Sequence, residues 1–186
     1  MDKSDFECWQ IDGGSVYYGQ VAYIDDSNNL VEDTEEAKKI ALQKHQEETP
    51  EGEELEFVEP KFKKVRHGLG INWYGRTEGE GTLCKYEGYW DRDQKHGEGF
   101  LVFPDGSTYR GSFKHDIIDG YGLFQWKHEG HRYEGNWKDG RMEGGGEFTH
   151  VEGKKIKGSF LNNYHDLEGM FINPFTSQEK MKEFAA

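Results

Sequence analysis

Eight histidines and two cysteines are the residues of this chain best suited to metal binding or nucleophilic attack. His128 and His131 stand three apart, a spacing that ligands use, but they lie in the turn-like "KHEGHR" with no cysteine nearby. His67 and His96 each precede a Gly-x-Gly, a placement that repetition explains without ligation. Neither Cys8 nor Cys84 has a neighbouring histidine of the kind a thiol nucleophile uses, and no serine sits in a strand–turn–helix elbow. The "GEG" and "GYG" triplets do not open helices, as a phosphate-cradling loop must. Carboxylate pairs are frequent in any chain with 36 acidic residues and so point to no particular reaction. The expectation is a protein without catalytic residues, cofactor or metal.

The glycines beside those histidines belong to a larger pattern. "YEGYWDRDQKHGEGFLVFPDGST" (86–108) returns after 23 residues as "YRGSFKHDIIDGYGLFQWKHEGHR", after 24 more as "YEGNWKDGRMEGGGEFTHVEGKK", and after a further 23, in worn form, as "IKGSFLNNYHDLEGMFINPF". A fixed period of this length marks a repeat architecture. Tyr86, Gly88 and Trp90 correspond to Tyr109, Gly111 and Phe113, then to Tyr133, Gly135 and Trp137, then to Ile156, Gly158 and Phe160. Aromatic, glycine, aromatic at i, i+2, i+4 is strand period, with all three on one face. Gly97, Gly99, Leu101 and Phe103 continue that period in a second strand, "DRDQKH" is the loop between, and "PDG" turns into the next unit. Each unit is therefore one β-hairpin. Glycine weakens strands, so its density here implies a trough that receives the large rings of neighbouring units as a continuous aromatic ladder.

These residues resemble the MORN (membrane occupation and recognition nexus) repeat, a Tyr-x-Gly-x-Trp start followed by a Gly-x-Gly return. The likeness is close over 86–155, loose over 156–175, and extends upstream to Tyr17, Gly19 and Val21 with Gly68 and Gly70. Between Tyr17 and Gly68, 40 residues are inserted in one hairpin, and "FECWQID" (6–12) reads as the second strand of a truncated leading unit. The fold class expected is mainly β: an elongated antiparallel hairpin meander over 1–175, interrupted at about 25–64 by a partly helical insertion. A short capping helix closes it at 176–186, where Thr176 and Glu179 have capping-box spacing. The extra length between Gly70 and Tyr86 predicts a bulge or longer loop at "RTEGEGTLCK".

The net charge of −13 is unevenly distributed. Residues 25–59 carry 13 acids against Lys38, Lys39 and Lys44, whereas 61–175 balance 17 of each sign. A neutral sheet with an acidic insert argues against nucleic acid, which needs a basic face, and disfavours an anionic membrane. Two unpaired cysteines and an acidic start, "MDKSDFE", suggest a reducing, cytoplasmic setting. The insertion reads as helix from about Glu32 to Glu47, with Val31, Ala37, Ile40 and Ala41 on one face, then an extended "TPEGEELEFVEPK".

Resemblance to repeat-only MORN proteins implies a non-catalytic scaffold. Its partners would be other subunits of a large, cytoskeletal assembly, with the ciliary axoneme first in order. A membrane-peripheral adaptor for acidic lipid ranks second, and an accessory subunit of another complex, such as a mitochondrial one, third. Two binding elements are expected: the aromatic row Tyr86, Trp90, Tyr109, Phe113, Tyr133 and Trp137, and the insertion, through Val31, Ile40 and Leu42. The strand edge near 6–12 leaves a homodimer open.

Overall fold

The structure, a computed structural model, describes residues 6–11, 14–48, 58–74 and 84–165. The predicted caps and loops at 75–83 and 176–186 lie outside these residues, as does most of "TPEGEELEFVEPK". The strands in chain order are β1 (Phe6–Ile11), β2 (Ser15–Ile24), β3 (Leu30–Val31), β4 (Lys63–Trp73), β5 (Lys85–Asp91) and β6 (Gln94–Val102). They continue with β7 (Thr108–Lys114), β8 (Ile117–Gln125), β9 (Arg132–Lys138), β10 (Arg141–Thr149), β11 (Lys155–Leu161) and β12 (Tyr164–His165). One helix, α1 (Thr34–Glu48), lies between β3 and β4. All strands join one open antiparallel sheet in the order β1-β2-β4-β5 through β12, with β3 paired to the far end of β2. The hairpin meander is thus observed, and it does not close into a barrel.

The hairpin turns are tighter than "DRDQKH" suggested. Arg92–Asp93, His115–Asp116, Asp139–Gly140 and Asn162–Asn163 are two-residue turns, and all eight residues have positive φ, the type I′ geometry that suits twisted hairpins. Gln94 and Lys95 already pair with Asp91 and Trp90.

The two glycines of each Gly-x-Gly do different jobs. Gly88 pairs with Gly99, but Trp90 pairs with Lys95, so one residue of β5 faces three of β6. The same irregularity recurs in β2–β4, β7–β8 and β9–β10. Gly97, the first glycine of its pair, sits in this bulge at φ 64°, a conformation open to it because it has no Cβ. The second glycine, Gly99, serves packing.

Candidate functional site

The six predicted aromatic residues all lie in the core. Tyr86, Tyr109 and Tyr133 are 0% exposed, and Trp90, Phe113 and Trp137 are 2–3%. They form an edge-to-face chain: Tyr17–Trp90–Tyr86–Phe113–Tyr109–Trp137–Tyr133–Phe160. Neighbouring ring centroids are 4.9–5.8 Å apart and interplanar angles are 77–87°. Such pairs are worth about 0.5–1.5 kcal/mol each beyond the area they bury.

Each tyrosine lies across the glycine pair of its own hairpin. A Cβ on Gly99 would stand 2.5 Å from Tyr86 Oη, and one on Gly122 2.3 Å from Tyr109 Oη. Each phenol then donates to the carbonyl three residues on: Tyr17 to Gln20 at 2.7 Å, Tyr86 to Tyr89 at 2.9 Å, Tyr109 to Ser112 and Tyr133 to Asn136 at 3.1 Å. Trp90 and Trp137 donate their indole N–H groups to the carbonyls of Gly70 and Gly122 in the preceding unit. The glycine trough is therefore a set of rings locked over bare backbone.

Burial pushes all four phenols above their ordinary value near 10. The folded state keeps these protons where the unfolded chain sheds them. Stability is therefore flat up to about pH 10 and falls beyond it, by up to about 1.4 kcal/mol per phenol per pH unit. Alkaline titration at 295 nm should show these phenolates appearing together with loss of the circular-dichroism signal. Phenolate absorbance that rises fully while the fold persists would contradict this packing.

The polar positions that the sequence did not reveal form a clamp between successive turns. In β4, β6, β8 and β10 the residues in the same register, facing the core, are Arg66, Lys95, Ile118 and Met142. The second turn residue of the next hairpin reaches back to each. Asp93 donates its N–H to Arg66 O at 3.0 Å and accepts the Arg66 N–H on Oδ1 at 2.8 Å. Asp116 does the same with Lys95, both at 2.9 Å. Asn163 does so with Met142 at 3.1 and 2.8 Å. Gly140, lacking a side chain, keeps only its N–H bond to Ile118 O, at 2.9 Å. Where the clamped residue is cationic the turn supplies a carboxylate. Arg66 Nε lies 3.2 Å from Asp93 with its guanidinium 4.1 Å from the Trp90 ring centroid, and Lys95 Nζ lies 2.9 Å from Asp116. The Lys95 side chain is 5% exposed, and burial pulls its pKa down despite the carboxylate. Where the clamped residue is apolar the gripping turn residue, Gly140 or Asn163, is uncharged.

The opposite face of the sheet is uncovered among the described residues. Cross-strand partners run in a row Tyr18, Ile71, Glu87, Phe100, Arg110, Leu123, Glu134, Glu147, Lys157. Tyr18, Tyr89 and Tyr121 are 45%, 48% and 57% exposed. A groove of about 520 Å³ crosses the N-terminal half, lined by the apolar Phe6, Tyr18, Ile71 and Phe100 and by the charged Glu87, Glu98 and Arg110. The Arg110 guanidinium covers Phe100 at 5.0 Å. Strand alternation already placed Glu87 and Tyr89 away from Trp90; the groove depended on register across six strands.

The family model of the MORN repeat matches residues 86–108, 109–127 and 133–155. Three consecutive units of this chain are MORN repeats. Human ALS2 C-terminal-like protein is 42% identical over 48 residues, which is 25% of this chain and 5% of that protein. Alsin of Rattus norvegicus is 42% identical over 40 residues, 22% of this chain and 2% of alsin. The matched stretches thus span a small part of these curated relatives. Within the MORN units the core rings, glycine pairs and turn clamps are the repeated parts, whereas the outward row changes from unit to unit.

The MORN sheet is interrupted where expected, between β2 and β4. Asp33 caps α1, its Oδ1 accepting the N–H groups of Glu35 and Glu36. The helix begins two residues later than predicted because Asp33 is its cap. Its half-buried stripe is Thr34, Ala37, Lys38, Ala41 and His45. Ile40 and Leu42 are 47% and 42% exposed; two residues apart on a helix, they point about 200° from one another. Val31 is half-buried in β3, opposite Tyr23. The three therefore do not make one patch. Lys38 bridges the helix to Glu59 at 3.0 Å.

No cluster of three or more potential metal ligands occurs among the described residues. His67 Nδ1 lies 3.4 Å from Asp91, and His131 packs at 4.3 Å on His150. Burial pushes the Cys84 thiol up to about 12, which leaves it a poor nucleophile at neutral pH. No helix among the described residues is long and apolar enough to cross a membrane.

Proposed function

We propose that this MORN-repeat protein is a non-catalytic scaffold that docks a segment of another subunit on the outward face of its sheet, within a large cytoskeletal assembly such as the ciliary axoneme. The groove lined by Phe6, Tyr18, Ile71 and Phe100 carries the reading. It combines exposed rings, which anchor partners well, with carboxylates that favour an apolar segment bearing basic residues. The core aromatics support this face without touching the partner. The cytoskeletal setting extends this reading by analogy with what the MORN resemblance implies.

Tagged protein recovered from ciliated cells should bring down a defined subunit. Tyr18→Ser with Tyr89→Ser should leave thermal stability within about 0.5 kcal/mol, as exposed positions do, and reduce that capture about tenfold or more. Replacing residues 25–62 by an Asn-Gly turn should leave the sheet folded, because loop length costs little. If it also removes a salt-sensitive part of the capture, the acidic insertion is a second contact. Capture that survives both changes, or a captured set without cytoskeletal proteins, would defeat the proposal.

A further inference from the structure

At the strand ends away from the hairpin turns, loops after β6, β8 and β10 carry the chain from one unit to the next. Each is closed by two backbone bonds. Phe103 donates to Ser107 O and Gly106 to Phe103 O, both at 2.9 Å. Trp126 donates to His131 O at 3.0 Å and Gly130 to Trp126 O at 3.1 Å. His150 donates to Lys154 O at 2.7 Å and Gly153 to His150 O at 2.8 Å. One further bond joins each loop to the next. Lys127 N–H donates to Ser107 Oγ at 3.1 Å, and Val151 N–H donates to His131 Nδ1 at 3.0 Å. Ser107 and His131 hold the same place, two residues before Tyr109 and Tyr133. Their acceptors differ in one respect. A hydroxyl oxygen accepts throughout the physiological range of pH, whereas an imidazole nitrogen accepts only while the ring is neutral.

We propose that the bond from Val151 to His131 is a pH-sensitive joint, which holds the 150–154 loop and the start of β11 at neutral pH and releases them on acidification. A backbone N–H only donates, so neutral His131 carries its proton on Nε2. A second proton must go to Nδ1, where it faces the Val151 N–H. That proton also sets a cation beside His150, whose ring lies 4.3 Å away, with both rings against Phe148 at 5.4 and 6.0 Å. The two loops already approach closely: a Cβ on Gly130 would stand 2.9 Å from Val151 Cγ2. Among the ionisable groups around His131, His150 opposes its protonation and Glu129, in its own loop, favours it. Lys127, His128, Glu152 and Lys154 are exposed. Arg132 and Lys155 turn to the other face of the sheet, where they meet Thr149 and Glu147. Burial and His150 outweigh Glu129 and hold His131 below its ordinary value of 6.5. The unfolded chain therefore takes up the proton first, so the joint is intact above pH 6.5 and is lost as pH falls below it. At the other end of the same unit Asn163 grips Met142 through groups that do not titrate. Acid thus loosens one end of β11 and leaves the other held.

Heteronuclear NMR of the full chain at about pH 7.5 should find His131 as the Nε2–H tautomer. Its titration midpoint should lie below 6.5. The Val151 amide, compared with an unstructured chain at each pH, should lose exchange protection about tenfold or more between about pH 7.5 and about pH 5. The Lys127 amide, held by Ser107, is the control within the same molecule and should change less than about twofold. His131→Asn keeps a carbonyl acceptor where Nδ1 stands and removes its titration. It should leave Val151 protection independent of pH over that range, with an unchanged far-ultraviolet spectrum. A His131 midpoint at or above 6.5, or Val151 protection that survives acid, would overturn the proposal. So would an equal loss at Lys127, or a pH response that persists in His131→Asn, since acid would then act through another group.

Discussion

Trp90→Ala should destabilise the protein by about 3–5 kcal/mol, the range for emptying a buried tryptophan site. Trp90 is 3% exposed, closes edge-to-face on Tyr17 and Tyr86, and roofs the Arg66 guanidinium. Alanine breaks the ladder at that rung, leaves the Gly70 carbonyl without its indole donor, and uncovers a cation. Trp90→Phe should cost much less, about 1–2 kcal/mol, because the next unit holds Phe113 in the same register and lacks that hydrogen bond. Urea unfolding of both variants reads the difference. Equal costs would mean that the indole nitrogen or ring size matters more than the repeat geometry implies. An alanine variant of wild-type stability would remove Trp90 from the core.

Asp116→Ala should be as damaging, by about 3–5 kcal/mol, since it strands a buried lysine and deletes one arm of a turn clamp. The fold itself suggests the repair. Lys95→Met combined with Asp116→Asn recreates the pairing that Met142 and Asn163 make two units later, keeping the acceptor for the backbone N–H and removing both charges. Exchanges of buried ion pairs for packed neutral groups are commonly neutral or stabilising by about 1–4 kcal/mol. The double variant should therefore match or exceed wild type. If the single change is harmless, or the double change is worse than the single one, the clamp is not what orders these turns.

The repeat was legible because its signals are local. Aromatic–glycine alternation specified strands, faces and hairpins, and the 51-residue separation of Tyr17 and Gly68 located the insertion within one or two residues of the ends of β2 and β4. The turns were less readable. Arg92–Asp93 and His115–Asp116 adopt positive φ without the Asn-Gly or Asp-Gly signature that usually announces it; only Asp139–Gly140 carries one. Lys95 reads from sequence as part of the "DRDQKH" loop, because its partner lies 21 residues away and the equivalent positions are Arg, Ile and Met. The aromatic row was identified correctly as a row. Its location beneath the sheet's own backbone, rather than in an open groove, depends on how rings settle over glycines from two strands at once, which no single segment encodes.

The turn clamps all point one way. Asp93, Asp116, Gly140 and Asn163 each grip the hairpin before their own. A newly made hairpin therefore finds its docking template already standing on the side that left the ribosome first, and synthesis runs in that same direction. The array can grow like a filament elongating from one end, each subunit added by a step that needs little beyond the subunit before it. Loss of the last unit leaves the earlier grips intact, whereas loss of the first takes away the surface on which the rest were cast.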